Sequence, residues 1–184
     1  MSKLAQRILL LLCFFILEAC DSSAQEKNKA AQEFIDSIDS TLDSFLSTSG
    51  SFMTYFAIVA PIAEQHPDYK LTGSKIDSLK NYYNIFINGL TKGISKLSKL
   101  GEFDTSLKMA TPLLHFLQKT KAAYSSIFSS YFKIYQSGWD KASDADKQKM
   151  LDSPKILHAA HPGSAEFKNI RLTINEFMHK YALD

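Results

Sequence analysis

Nine positions from Ala31 to Val59 are spaced by alternating steps of four and three: Ala31, Ile35, Ile38, Leu42, Phe45, Ser49, Phe52, Phe56 and Val59. Residues three and four apart lie on one face of an α-helix, so this pattern describes a seam for packing on other helices. The phase survives Ser47-Thr48-Ser49-Gly50-Ser51. The stretch is therefore one long helix with a weak middle or two helices meeting there. Pro61 lacks an amide hydrogen and should kink or end the helix nearby. His66-Pro67-Asp68-Tyr69 reads as a turn, with Leu71 to Gly73 still loop.

The same period continues downstream. Ser74 is a suitable N-cap for a second helix, whose face carries Ile76, Leu79, Tyr83, Phe86, Leu90, Ile94 and Leu97. Gly101 is a stop signal. Asp104 or Thr105 is expected to cap a third helix reaching about Gln136, with Leu107, Leu114, Leu117, Tyr124, Phe128, Tyr131 and Tyr135 in its stripe. Gly138 breaks the pattern. Asp144 to Leu151 reads as a short connecting helix, and Pro154 to Gly163 as irregular chain. Ser164 opens a last helix with Phe167, Ile170, Ile174, Phe177, Met178 and Tyr181 inward. Sustained period-two alternation does not occur, and no hairpin turn is read between two strand-like runs. The expected fold is all-α: an antiparallel bundle of about four long helices with short links, plus a short connecting helix, over residues 30–184.

The start of the chain has a different character. Lys3 and Arg7 precede an unbroken apolar run, Ile8 to Leu17, followed by Glu18, Ala19 and Cys20. A basic start, a short apolar stretch and a small residue before the cut are the parts of a signal peptide. Ten helical residues span about 15 Å, half of a bilayer core of roughly 30 Å, so the run is too short for an ordinary membrane span. Leu17-Glu18-Ala19-Cys20 resembles the lipobox of bacterial lipoproteins. Leu17 and Ala19 fit the pattern, whereas Glu18 stands where a small or uncharged residue is usual. The resemblance implies removal of a signal peptide, residues 1–19, and a diacylglycerol and an N-acyl chain on Cys20. Residues 20–29 would then form a polar tether. Ser22-Ser23-Ala24 also resembles an ordinary cleavage site, whose use would release a protein beginning at Gln25. Cys13 follows bulky Leu12 and is a poor cleavage point.

The whole chain has 21 basic and 19 acidic side chains. Without Lys3, Arg7 and Glu18 the balance is 19 against 18, far from the basic stripe of a nucleic-acid binder. Both cysteines lie within residues 1–20. On either cleavage reading the domain has no internal disulfide, thiol nucleophile or cysteine metal site.

Candidate chemistry is sparse. His158 and His161 are spaced to share a helical face, and His115, His179 or Glu166 could complete a zinc site. Pro154 and Pro162 bracket the pair, and no HExxH motif accompanies it. Glu33, Asp36, Asp39 and Asp43 line one flank of the first helix, the expected solvated side. Tyr83, Phe86, Tyr124, Phe128 and Tyr131 could line a site for an apolar ligand, although rings at helical spacing are more often core. Gly89 and Gly93 would let two helices approach closely. Lys92, Lys96 and Lys99 suit the C-terminal end of their helix dipole. No Gly-rich phosphate loop and no GxSxG motif is present. The expected function is a lipid-anchored module of the bacterial envelope, binding a protein partner or an apolar ligand without catalysis and without a cofactor. The alternative is a small metal-dependent periplasmic or surface enzyme using the histidines.

Overall fold

The computed structural model describes the backbone of residues 3–65 and 73–183, and the side chains of residues 25–59, 73–158 and 160–183. The expected turn at His66 to Tyr69 lies outside the described residues, as do the side chains of Pro61, of the Leu17-Glu18-Ala19-Cys20 motif and of Ser22-Ser23-Ala24. Among the described residues the long elements are α1 (Lys3–Gln65), α2 (Ser74–Leu100), α3 (Ala110–Ser137), α4 (Asp144–Ala159) and α5 (Ala165–Lys180), with a 3-10 turn at Trp139–Lys141.

The seam read from spacing is the core. Ala31, Ile35, Ile38, Leu42, Phe45, Phe52 and Val59 of α1 are buried, together with Ile76, Leu79, Phe86, Leu90 and Leu97 of α2. Ser49 joins them, its hydroxyl donating to the Leu46 carbonyl at 3.1 Å. This local bond satisfies a polar group that the apolar interior cannot. The weak middle does not divide the helix: α1 is continuous through Ser47 to Ser51 and past Pro61 to Gln65.

Two glycines set the α1–α2 crossing. A Cβ on Gly93 would stand 3.0 Å from Thr41 Cγ2 and 3.2 Å from Leu117 Cδ1, and one on Gly89 would stand 3.1 Å from Thr48 Oγ1. The pairs Thr41–Gly93 and Thr48–Gly89 also fix these helices as antiparallel. On α3, Phe116 meets Phe45 and Phe128 meets Phe52, with ring centroids 5.7 and 4.7 Å apart, so α3 runs parallel to α1.

The fourth rod of the bundle is made of two helices. α4 descends along α3, with Ser130 bonded to Asp146 and Tyr131 to Ser153 near one end and the Thr120 hydroxyl donating to the Ala160 carbonyl at the other. α5 continues the descent, with Phe167 on Phe116 and Phe177 on Phe34. The expected short connecting helix is therefore a 16-residue packing element, and the segment around Pro154 is helical rather than irregular. The physical reason is local. Pro154 cannot donate to the Met150 carbonyl four residues back, and the Ser153 hydroxyl donates to it instead at 2.7 Å. The rod breaks only at Ala160 to Ser164, where Ser164 caps α5 by accepting from the Phe167 amide.

Two further boundaries differ from expectation. α3 begins at Ala110 rather than at Asp104 or Thr105. Its first amides are satisfied from a distance by the Glu102 carboxylate, which accepts from Met109, Ala110 and Thr111 at 2.9, 3.1 and 2.6 Å. Asp104 is the hub of a clasp, bonded to Lys180, Tyr181 and Ser106. The polar stretch read as a tether continues α1, with Gln25 to Ala30 exposed.

Candidate functional site

The four histidines considered for metal binding with described side chains lie on four different elements. His115 is on α3, His158 near the end of α4, His161 in the α4–α5 turn and His179 in the last turn of α5; all four are exposed. The His161 Nδ1 accepts from the Gly163 amide at 2.9 Å, which serves the turn. Glu166 pairs with Lys119 at 2.8 Å. Among the described residues no three His, Cys, Asp or Glu side chains stand close enough to share an ion.

The aromatic candidates do converge, and they converge on one another. Phe86, Tyr124, Phe128 and Tyr131 are buried and Tyr83 is half-buried. Phe52 stands among them, stacked on Phe86 at 5.6 Å and edge-on to Phe128 and Tyr124 at 4.7 and 6.1 Å. These are ordinary packing distances for aromatic pairs. The Tyr124 hydroxyl reaches the Met53 sulfur at 3.6 Å, and burial pushes its pKa up to about 12. The rings fill the middle of the bundle and stabilise it.

A surface recess lies on the seam between α1 and α5. α1 packs closely on α2, α2 on α3, and α3 on α4 and α5. α1 and α5 are instead bridged by large rings, Phe45 to Phe167 at 5.8 Å and Phe34 to Phe177 at 5.5 Å. Between them opens a cavity of about 170 Å³, with Leu42, Phe167 and Ile174 as apolar walls. Asp39 and Asp43 line its α1 rim, and Arg171 and Asn175 its α5 rim. Partial burial, then the charges of Asp43 and Asp36, raise the Asp39 pKa above the ordinary carboxylate value. Charge repulsion and lost hydration both oppose ionisation there.

Sequence spacing put Asp36, Asp39 and Asp43 on one flank, and the structure keeps them there. It missed Arg171 and Asn175, because only the α1–α5 contact brings that face of α5 beside the acids. On the other side of α1, the Lys96 ammonium donates to the Ser40 hydroxyl at 2.6 Å. Lys92 and Lys96 border a shallow recess with Ser40, Ser44 and Gly93. Among the described residues no helix is long and apolar enough to cross a membrane. No protein-family model, curated protein or solved structure matches this chain.

Proposed function

We propose that the chain is a lipoprotein of the bacterial envelope, held to a membrane through lipid on Cys20, and that its helical bundle is a non-catalytic module for a protein partner. The observation that carries this reading is the order of residues at the start: Lys3 and Arg7, the run Ile8 to Leu17, then Ala19 and Cys20. A single acyl chain holds a protein only marginally, whereas several chains on one residue give a stable anchor.

The bundle supports a protein partner over a small apolar ligand. The rings that might have lined a ligand site are in contact with each other, while charged side chains border the recesses on both flanks of α1. Exposed charge of both signs around shallow relief suits a polar protein surface. The scattered histidines lend the metal-enzyme alternative no support.

Metabolic labelling with a fatty acid tests the anchor. The wild-type protein should take up label and sediment with membranes, and Cys20→Ser should lose both properties. An intact mass beginning at Gln25 without an acyl chain would overturn the lipoprotein reading.

A further inference from the structure

We propose that two copies of this chain pair side by side and parallel, the Asp36–Asp39–Asp43 strip of each facing the Lys92–Lys96–Lys99 strip of the other. The two strips flank the same exposed face of α1. The acids lie on α1 toward the α5 seam. The lysines lie on α2, beyond Ser40 and Ser44.

The strips match in length and height. Each spans eight residues of helix, from 36 to 43 and from 92 to 99, and seven rises of helix are about 10 Å. The 2.6 Å bond from Lys96 to Ser40 and the contact of Gly93 with Thr41 set Lys99 level with Asp36 and Lys92 level with Asp43.

Neither strip forms an ion pair within the chain among the described residues. Among the described residues Asp39, Asp43, Lys92 and Lys99 form no ion pair or side-chain hydrogen bond, and Asp36 only accepts from neutral Gln32. Arg171 lines the same recess as Asp39 and Asp43 but forms an ion pair with neither, and the Asp39 pKa is raised by partial burial first and then by the charges of Asp43 and Asp36. Facing lysines would offset those charges.

Symmetry selects the orientation. A twofold axis parallel to α1 keeps every residue at its own height and exchanges the two flanks, so acid meets lysine twice. A twofold axis across α1 would make the helices antiparallel and set acid against acid and lysine against lysine. Isologous contact thus favours only the parallel pair. The intervening face carries Ser40, Ser44 and Ser47, all exposed and small, so α1 of each copy can approach the other. The pairing does not rest on the lipid anchor. It leaves both copies of residue 20 at one end, as attachment to a common membrane would need, and confinement there would raise the effective concentration.

The test is sedimentation of the full chain in a density-matched non-ionic detergent. Exposed pairs are screened as the Debye length falls to about 3 Å in 1 M salt. The wild type should be a dimer at low salt and a monomer at about 1 M salt. The triple variant Lys92→Glu, Lys96→Glu, Lys99→Glu presents two acidic strips. The triple variant Asp36→Lys, Asp39→Lys, Asp43→Lys presents two basic ones. Each alone should be monomeric at low salt, and their equimolar mixture should recover the dimer, which also shows that both are folded. A monomeric wild type at low salt, a species larger than the dimer, dimers of either variant alone, or a mixture that stays monomeric would each overturn the proposal.

Discussion

The hydroxyls of Tyr131 on α3 and Ser153 on α4 stand 2.9 Å apart, and both residues are buried. Ser153 has one hydroxyl proton, and it is committed to the Met150 carbonyl at 2.7 Å. Tyr131 is therefore the donor between the two. Ser153 thus repairs the hydrogen bond that Pro154 cannot make and accepts the bond that holds α4 to α3. Ser153→Ala should cost about 1–3 kcal/mol, the usual penalty for unpaired buried polar groups. Chemical denaturation measures it, and a change within error at this position would show that water replaces the hydroxyl.

Gly93 and Gly50 should respond in opposite senses to alanine. Gly50 lies within α1 with nothing within 4 Å of a new Cβ, so Gly50→Ala should stabilise by about 0.5–1 kcal/mol through lower chain entropy. At Gly93 the new methyl would press on Thr41 and Leu117. Thr41 is held by its 2.8 Å bond to the Ser37 carbonyl, and both neighbours are buried. Gly93→Ala should therefore lower the melting temperature despite the better helix former. Equal shifts for the two variants would remove the close crossing as a determinant of the fold.

Asp104 should make the protein acid-sensitive. The Lys180 ammonium at 2.6 Å, followed by the Ser106 hydroxyl and amide, holds its carboxyl far below the ordinary range. A depressed folded pKa stabilises at pH above the unfolded value of about 3.9 and is lost as pH falls through the folded value. Asp104→Asn should lower the melting temperature near neutrality and make its decline below about pH 5 shallower. Glu102 keeps part of the decline. Burial raises its pKa, but bonds from Thr111, Met109 and Ala110 outweigh this and lower it overall. An unchanged acid limb in thermal melts of Asp104→Asn would contradict the clasp.

Phe52 is fully buried at the centre of the aromatic cluster, against rings from α2 and α3. Phe52→Ala should destabilise by about 3–5 kcal/mol by transfer loss and cavity formation. Phe52→Leu, which keeps most of the volume, should cost far less. Equal losses would mean that ring geometry rather than filled space sustains the core.

The histidines should be dispensable for folding. His158→Ala with His161→Ala removes one turn contact, from the Gly163 amide to His161, and should shift the melting temperature slightly. A chelator should leave the wild-type melt unchanged. Stoichiometric zinc that survives dialysis and disappears in the double variant would reverse this expectation.

Helix period, and with it the all-α bundle, was legible along the chain because burial on a helix face is a local repeat: Ala31 to Val59 and Ile76 to Leu97 pack where their spacing puts them. The close-approach role of Gly89 and Gly93 was legible for the same reason, since only a missing side chain permits that crossing. Long-range bonds decided what spacing could not. The helix through Pro154 depends on Ser153 and Tyr131, the start of α3 on Glu102 several residues upstream, and the clasp on Asp104 and Lys180, 76 residues apart. Likewise the acids of α1 were visible as a flank, but Arg171 and Asn175 came beside them only when α5 docked. A charge on an exposed helix face has no local signal for what it will meet, because its neighbours are set by the packing of other helices.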